Sequence, residues 1–201
     1  VRVGFVMTGS FCTFAEAFAA AEALRQAGAS LLPVMSEHAA GTDTRFGSAL
    51  SHIQRLETIC EKPVIRSIPE AEPIGPKHLT DILVVAPCTG NTLAKLAASI
   101  TDTTATMAVK SHLRTGNPVV LAVATNDALA GSAKNIGQLL NLKHYRFVPF
   151  GQDQPTGKPT SLIADFTKIP QTLADALDGK QQQPILPVSY THLRAHETLS
   201  D

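Results

Sequence analysis

The chain has 201 residues, of which 44% are hydrophobic, and its 17 basic residues are balanced by 17 acidic ones. This length favours one domain with a sizeable core, and the balanced charge argues against binding to nucleic acid or to a membrane surface. No apolar run reaches the roughly 20 residues of a membrane-spanning helix, and three cysteines without regular spacing indicate free thiols in a reducing cytoplasm.

The first part of the chain alternates apolar runs with helical patterns. Residues 2–7 and 31–35 predict buried strands, and residues 14–27 between them predict a helix that ends at Gly28, a residue suited to a C-cap. Apolar residues at helical spacing predict a second helix over residues 43–60.

The rest of the chain continues this alternation after a loop predicted over residues 67–76, which contain three prolines and a glycine. Strands are predicted over residues 81–86, 119–124 and 145–148, and helices over residues 91–100, 128–142 and 167–177. Repeated strand–helix units with continuously apolar strands indicate a parallel sheet covered by helices on both faces. The predicted fold class is therefore α/β: a three-layer, Rossmann-like sandwich with a mostly parallel, doubly wound sheet.

One domain is predicted over residues 1–186. Residues 187–201 show no apolar period, and we expect them to be a non-native or disordered tail. His192 and His196 in this tail lie four residues apart but carry little weight as a metal pair, so no metal site is predicted. The sequence starts at Val1 directly on a strand pattern, and we expect native residues to precede it.

Polar turns follow the predicted strands, at the edge of the sheet where ligands bind in such folds. In Thr8-Gly9-Ser10, the glycine permits close approach of the backbone, and the following helix start offers free N–H groups to a phosphate. A helix N-cap at Ser10 or Thr13 explains this segment equally well. The turn lacks the G-x-G-x-x-G and Walker A patterns, which argues against an ATPase and against Glu37 as the ribose-binding acid of an NAD site.

Residues 87–92, with the sequence PCTGNT, directly follow the strongest predicted strand. Here the chain resembles the flavoprotein superfamily of peptidyl-cysteine and phosphopantothenoylcysteine decarboxylases, whose motif at this place is Pro-Ala-Ser-Ala-Asn-Thr. Pro87, Asn91 and Thr92 match it, and Thr89 keeps a hydroxyl group. The resemblance implies FMN as the cofactor, and the implied cofactor-binding residues are Thr8, Gly9, Ser10, Phe11, Ser36, Thr89, Asn91 and Thr92.

Two departures from the superfamily argue against decarboxylase chemistry. The Pro-Ala-Met-Asn segment corresponds to residues 119–126, where Asn126 is kept but the proline and the methionine are replaced. Pro73 stands in place of the superfamily histidine, and the nearest histidine is His78. The resemblance implies catalytic roles for Asn91 and Asn126. His78 is a candidate base, with a solvated loop histidine as the alternative.

Further blocks resemble one branch of this superfamily, the B subunits of dipicolinate synthase: residues 9–14, 43–47, 86–92, 125–127, 148–153 and 161–165. This resemblance implies a homo-oligomer in the mother-cell cytoplasm of a sporulating bacterium. Together with an NAD(P)-dependent A subunit, the chain would support oxidation of a dihydrodipicolinate-type precursor to dipicolinate. The flavin either accepts a hydride or is a vestige. A flavin-dependent cysteine decarboxylase and a cofactor-free structural partner of the A subunit stay open as alternatives.

A small dicarboxylate substrate calls for cations near the site. Arg45, beside the second polar turn, is the best candidate because guanidinium pairs with carboxylate in bidentate fashion. A surface charge in the first turn of a helix is the alternative, and Lys134 and Lys158 are weaker candidates. Cys12 and Cys88 lie in the polar turns that follow the first predicted strand and the strand over residues 81–86. Filling of buried corners explains these two cysteines better than a chemical role does.

Overall fold

A computed structural model describes residues 1–187 of the chain. Its strands are β1 (Arg2–Met7), β2 (Ser30–Met35), β3 (Ile82–Cys88), β4 (Val119–Thr125), β5 (Tyr145–Phe147), β6 (Phe150–Gly151) and β7 (Leu162–Ala164). Its α-helices are α1 (Phe14–Gln26), α2 (Glu37–Gly41), α3 (Ala49–Cys60), α4 (Ile68–Ala71), α5 (Gly90–Ala97), α6 (Thr104–Leu113), α7 (Ala133–Leu140) and α8 (Ile169–Leu177). Apart from Pro187, the predicted tail 187–201 lies outside the described residues.

The centre of the molecule is a mostly parallel sheet, as predicted. Parallel pairing gives the order β2-β1-β3-β4-β5, while β7 pairs antiparallel with the carboxyl end of β4 and with β6. Helices α1, α3 and α8 cover one face, and α5, α6 and α7 cover the other. All seven residues of β3 are buried, as expected for a central strand with helices on both sides.

The direction of the strand order reverses at β1, with β2 on one side and β3 on the other. A crevice forms at such a point because the connections leaving the two neighbouring strands cross opposite faces of the sheet. The turns after β1 and β3 therefore meet at the carboxyl edge of the sheet. This is the edge at which the polar turns were predicted.

The helix predicted over residues 43–60 was wrong at its start. Residues 44–47 form a turn closed by two reciprocal backbone hydrogen bonds between Thr44 and Gly47, of 3.0 and 3.1 Å. Gly47 has a φ of 136°, which no helix accommodates, and Ser48 caps α3 by accepting from the Ser51 N–H at 3.1 Å. Phe46 follows the helical spacing of the sequence, yet its side chain is 45% exposed.

Other element predictions also needed correction. The loop predicted over residues 67–76 contains α4 and a 3₁₀ helix over Glu72–Ile74. The helix predicted over residues 128–142 begins only at Ala133, because residues 127–132 form a turn in which the Asp127 carbonyl accepts from the N–H groups of Ala130 and Ser132. Helices α2 and α6 and strands β6 and β7 were not predicted.

Candidate functional site

A cleft at the carboxyl edge of the sheet consists of two adjoining cavities of about 560 and 440 Å³. Gly9, Phe11 and Thr89 border both cavities, so the turns after β1 and β3 form the divide between them. Each volume lies within the usual range of small-molecule sites. We call them the larger and the smaller cavity.

The smaller cavity has the character of an anion site. Its other lining residues are Thr8, Ser36, Glu37, His38, Thr42, Asn91, Thr92 and Thr103. Helices α2 and α5 both begin at this cavity, and their first-turn N–H groups carry the positive end of the helix dipole. Ser36 caps α2 by accepting from the Ala39 N–H at 3.3 Å, and Thr89 caps α5 by accepting from the Thr92 N–H at 3.3 Å.

Thr8 links the two central turns. Its side chain is buried, and its hydroxyl donates to the Pro87 carbonyl at 2.8 Å and accepts from the Thr89 N–H at 3.1 Å. Since these bonds join the turn after β1 to the end of β3 and to the turn that follows it, Thr8 fixes the spacing of the cleft. The Thr8 hydroxyl thus has a positioning role within the chain, and the cofactor contact expected for Thr8, which lines the smaller cavity, stays a prediction.

Glu37 borders the smaller cavity, and its carboxylate is hydrogen-bonded to the start of a helix. Its carboxylate accepts from the Thr104 N–H at 2.9 Å and from the Thr104 hydroxyl at 2.7 Å. The negative charge therefore stabilises the start of α6, where it complements the helix dipole. This arrangement argues against a ribose-binding role for Glu37, and it also reduces the repulsion that an anion in the smaller cavity would meet.

The larger cavity has a different lining. Besides the shared residues it is lined by Ser10, Cys12, Thr13, Arg45, Phe46, Ala124, Thr125, Asn126, Asp153, Lys158, Ser161, Leu162 and Ile163. The Arg45 guanidinium carbon lies 4.8 Å from the centroid of the Phe46 ring, and Lys158 Nζ lies 3.7 Å from an Asp153 carboxylate oxygen. Arg45 lies in the turn before α3, so the alternative of a first-turn helix charge is wrong.

Asn126 at the end of β4 is held by the segment that returns to the sheet. The Thr160 hydroxyl donates to the Asn126 carbonyl at 2.6 Å, and the Leu129 N–H donates to the Thr160 carbonyl at 2.9 Å. These bonds fix the backbone that follows the Asn126 side chain. An amide at the mouth of the larger cavity can donate and accept hydrogen bonds.

Gly90 makes room for a polar cluster beside this site. The Asp127 carboxylate accepts from the hydroxyls of Thr125 at 2.6 Å and Ser132 at 2.8 Å. A Cβ atom at position 90 would lie 2.7 to 2.8 Å from the polar atoms of these three side chains. This contact explains why a glycine stands here in place of the alanine of the superfamily motif.

Several predicted site residues lie away from the cleft or in the other cavity. His78 lies before β3 at the opposite, amino-terminal edge of the sheet, where its carbonyl accepts from the Arg2 side chain. Since the cleft is at the carboxyl edge, the structure gives no support to His78 as a catalytic base within one chain. Ser10 lines the larger cavity rather than the smaller one, and Lys134 on α7 lines neither.

The two cysteines near the cleft differ in exposure. Cys88 ends β3 and is fully buried, which raises the pKa of its thiol and keeps it protonated. This burial agrees with the interpretation of Cys88 as a residue that fills a buried corner. Cys12 is exposed and lines the larger cavity, with its sulfur 3.8 Å from the Ser10 hydroxyl.

Sequence reasoning missed the residues that arrive from distant segments. Asp153, Ser161, Leu162 and Ile163 come from the β6–β7 segment, and Thr103 comes from the cap of α6. The resemblance of residues 148–153 and 161–165 to a known branch was the available signal, but no site role was assigned to them.

Comparison with known proteins supports the architecture and the family. A crystal structure of the B subunit of dipicolinate synthase from Bacillus halodurans superimposes with a TM-score of 0.86 at 42% identity, covering 94% of this chain and 97% of that one. An FMN-dependent cysteine decarboxylase superimposes with a TM-score of 0.65 at 23% identity, covering 89% of this chain and 95% of the other, which shows a shared fold. The model of the family described as Flavoprotein matches residues 1–175. The chain belongs to the flavoprotein family.

Within the flavoprotein family, the chain is a homologue of the B subunit of dipicolinate synthase. It is 42% identical over 189 residues to that protein of Bacillus subtilis (strain 168), and the match covers 94% of each chain. The resemblance to this branch predicted from the sequence is confirmed. In residues 1–187, no helix combines the length and the apolar character needed to cross a membrane.

Proposed function

We propose that this flavoprotein-family chain is a B subunit of dipicolinate synthase that binds FMN in the two-cavity cleft. In the mother-cell cytoplasm of a sporulating bacterium, it would support oxidation of a dihydrodipicolinate-type precursor to dipicolinate. The partner would be an NAD(P)-dependent A subunit, and the chain would assemble as a homo-oligomer. The 42% identity to a protein of that name over nearly the whole chain supports this assignment.

The observation that carries the cofactor proposal is the division of the cleft. The smaller cavity offers hydroxyl groups and the N–H groups at the starts of two helices. Such groups can bind a phosphate even though neither lysine nor arginine is among the described lining residues. In this proposal Ser36, Thr89 and Thr92 face the phosphate, and Asn91 contacts the cofactor rather than the reacting atoms. Gly9, Phe11 and Ser10 then line the passage to the larger cavity, which would receive the ring system.

The chemistry requires removal of two electrons and two protons from the precursor as its ring becomes aromatic. A bound flavin supplies a two-electron acceptor. The chain itself positions the substrate, and Asn126, whose backbone is fixed by Thr160, would donate a hydrogen bond to it in the larger cavity. Cys88 takes no part, because its buried thiol stays protonated.

The purified protein tests this proposal. We expect an oxidised-flavin absorbance spectrum, with FMN identified after release by denaturation. Mixing with the A subunit, NAD(P)⁺ and the precursor should form dipicolinate, and this rate should fall when the flavin is stripped and recover when FMN is added back. Equal rates with and without flavin would reject the cofactor proposal. Decarboxylation of a thiol-bearing carboxylate by the chain alone would reject the assignment to dipicolinate synthase.

A further inference from the structure

We propose that Arg45 and Lys158 form a two-cation clamp for a dicarboxylate in the larger cavity, and that Asp153 holds Lys158 when the clamp is empty. This inference rests on the proposed function, because it assigns recognition of the dicarboxylate to named side chains. The two cations come from segments more than a hundred residues apart in the sequence and line the same cavity.

Arg45 is a cation in a defined place. Its turn is closed by two hydrogen bonds between Thr44 and Gly47, and the Phe46 N–H donates to the Thr44 hydroxyl at 3.1 Å. The turn is anchored to α3 by Asp43, whose carboxylate accepts from the Ala49 N–H at 2.8 Å. In residues 1–187 the Arg45 guanidinium makes no hydrogen bond or ion pair, and its contact is the face of the Phe46 ring. Its donors are therefore available to a ligand.

Lys158 projects from a loop with its own internal bonds. The Lys158 N–H donates to the Gln154 carbonyl at 2.7 Å, and the Gln152 side chain donates to the Pro159 carbonyl at 2.8 Å. The neighbouring Thr160 fastens this loop to Asn126. The loop thus holds the lysine beside the end of β4.

The ion pair between Lys158 and Asp153 is suited to exchange. Its atoms are 3.7 Å apart, and the two side chains are 52% and 26% exposed. An exposed pair of this length contributes little stability, so a carboxylate of a ligand can replace Asp153 at small cost. Asp153 would then act as a competitor of the ligand.

The two cations of the cavity suit a ligand with two carboxylates. Among its described lining residues, the charged side chains are Arg45, Lys158 and Asp153. A dicarboxylate complements both cations once Asp153 is displaced, whereas a monocarboxylate leaves one cation without a ligand partner. None of these three residues lines the smaller cavity, so the clamp and the phosphate site are separate.

The test compares binding of dipicolinate with binding of picolinate, which has the same ring and one carboxylate. Calorimetric titrations use the full chain, both flavin-loaded and flavin-free. We expect the chain to bind dipicolinate at least about tenfold more tightly than picolinate, and Arg45→Gln and Lys158→Gln each to remove that preference. Asp153→Asn should tighten dipicolinate binding about threefold because the competitor is lost.

Lys134→Gln is the matched control, since it removes a lysine that lines neither cavity. Equal affinities for the two probes in the unmodified chain would overturn the clamp, as would an effect of Lys134→Gln equal to that of Lys158→Gln. Unfolding curves identify any variant that fails to fold, and the gain expected for Asp153→Asn tests the clamp independently of such losses. A dipicolinate preference in a chain that binds no flavin would leave the clamp standing and reject only the cofactor proposal.

Discussion

Ser36 combines two tasks in one side chain. Its hydroxyl accepts from the Ala39 N–H at the start of α2, and the residue lines the smaller cavity where we place a phosphate. Aspartate and asparagine are also good helix N-caps, so either can replace Ser36 while keeping the cap. The two replacements differ in charge, and this difference separates the structural task from the binding task.

We expect Ser36→Asp to raise the dissociation constant of FMN by about 100-fold, because a carboxylate would repel the phosphate at close range. Ser36→Asn should change this constant by less than about fivefold, since a neutral amide does not repel the phosphate. Asparagine is close to isosteric with aspartate, so the two variants differ mainly in charge. Quenching of flavin fluorescence on titration into the apoprotein measures both constants. Similar losses of affinity in the two variants would show that size rather than charge matters, and would place the phosphate elsewhere.

Sequence reasoning identified many residues of the cleft but not all of their roles. Ser36, Thr89 and Asn126 could be identified because each lies in the turn after a predicted strand, and such residues reach the carboxyl edge of a parallel sheet. The positioning role of Thr8 was not accessible, because it depends on the carbonyl of Pro87, 79 residues away. The pairing of Glu37 with Thr104 likewise joins segments 67 residues apart.

At the scale of elements, α6 shows why a buried helix is difficult to predict from hydrophobic periodicity. Most of its residues are buried, including Thr104, Thr106, Ser111 and His112, so it has no polar face to produce a helical period. Threonine also has a modest helix propensity. The helix is fixed instead by the capping box of Thr103 and Thr106 and by Glu37.

The contact between α6 and the preceding segment depends on Gly75. Its N–H donates to the Ser111 hydroxyl at 2.8 Å, and a Cβ atom there would lie 1.9 Å from the Ser111 carbonyl oxygen. We expect Gly75→Ala to lower the free energy of unfolding by about 3 kcal/mol, since backbone must move to admit the methyl group. Urea denaturation followed by circular dichroism measures this change.

Gly137→Ala is the matched substitution. Gly137 is exposed inside α7, and a Cβ atom there would meet nothing within 4 Å. Alanine should therefore raise the free energy of unfolding by about 0.5 to 1 kcal/mol through its better helix propensity. Equal effects of the two substitutions would mean that the close contact at Gly75 does not exist in solution.

At the scale of the whole molecule, the parallel core was predictable and its additions were not. Apart from Arg2 and Thr125 at their ends, strands β1, β3 and β4 are apolar because both faces of the sheet are covered, and this pattern can be recognised in the sequence alone. Strands β6 and β7 have only two and three residues, too few to show alternation. Strand β7 pairs with β4, and β6 pairs with β7, so this addition joins the sheet through contacts distant in sequence. With it come Asp153 and Ser161 of the larger cavity.

The stability of the whole fold should depend on pH through His112, a residue of α6 whose side chain is buried. Its Nδ1 accepts from the Thr80 hydroxyl at 2.8 Å, and its Nε2 donates to the Pro118 carbonyl at 3.0 Å, an arrangement that fits the neutral ring. Burial lowers the pKa of His112, although the Pro118 carbonyl and Asp81 act in the opposite direction. Burial and the charge of Arg55 also lower the pKa of His52.

Because the folded pKa of His112 is lowered, the unfolded chain takes up a proton at a higher pH than the folded chain. The free energy of unfolding should therefore be nearly constant above the unfolded histidine pKa of about 6.5 and fall as the pH drops below it. Urea titrations at about pH 7.5 and about pH 5.5 measure this fall. This pH range lies above the lowered pKa values of carboxyl groups such as that of Asp81. The bond between Asp81 and Arg2 is therefore lost only at lower pH.

His112→Gln should reduce the fall, because glutamine can keep both hydrogen bonds but does not titrate in this range. The part that remains is expected from His52. His78→Asn is the control: it removes an exposed imidazole at a φ of 48°, a conformation that asparagine tolerates, and should leave the fall in place. If His112→Gln retains the whole fall while His78→Asn reduces it, the buried ring is not what couples stability to pH.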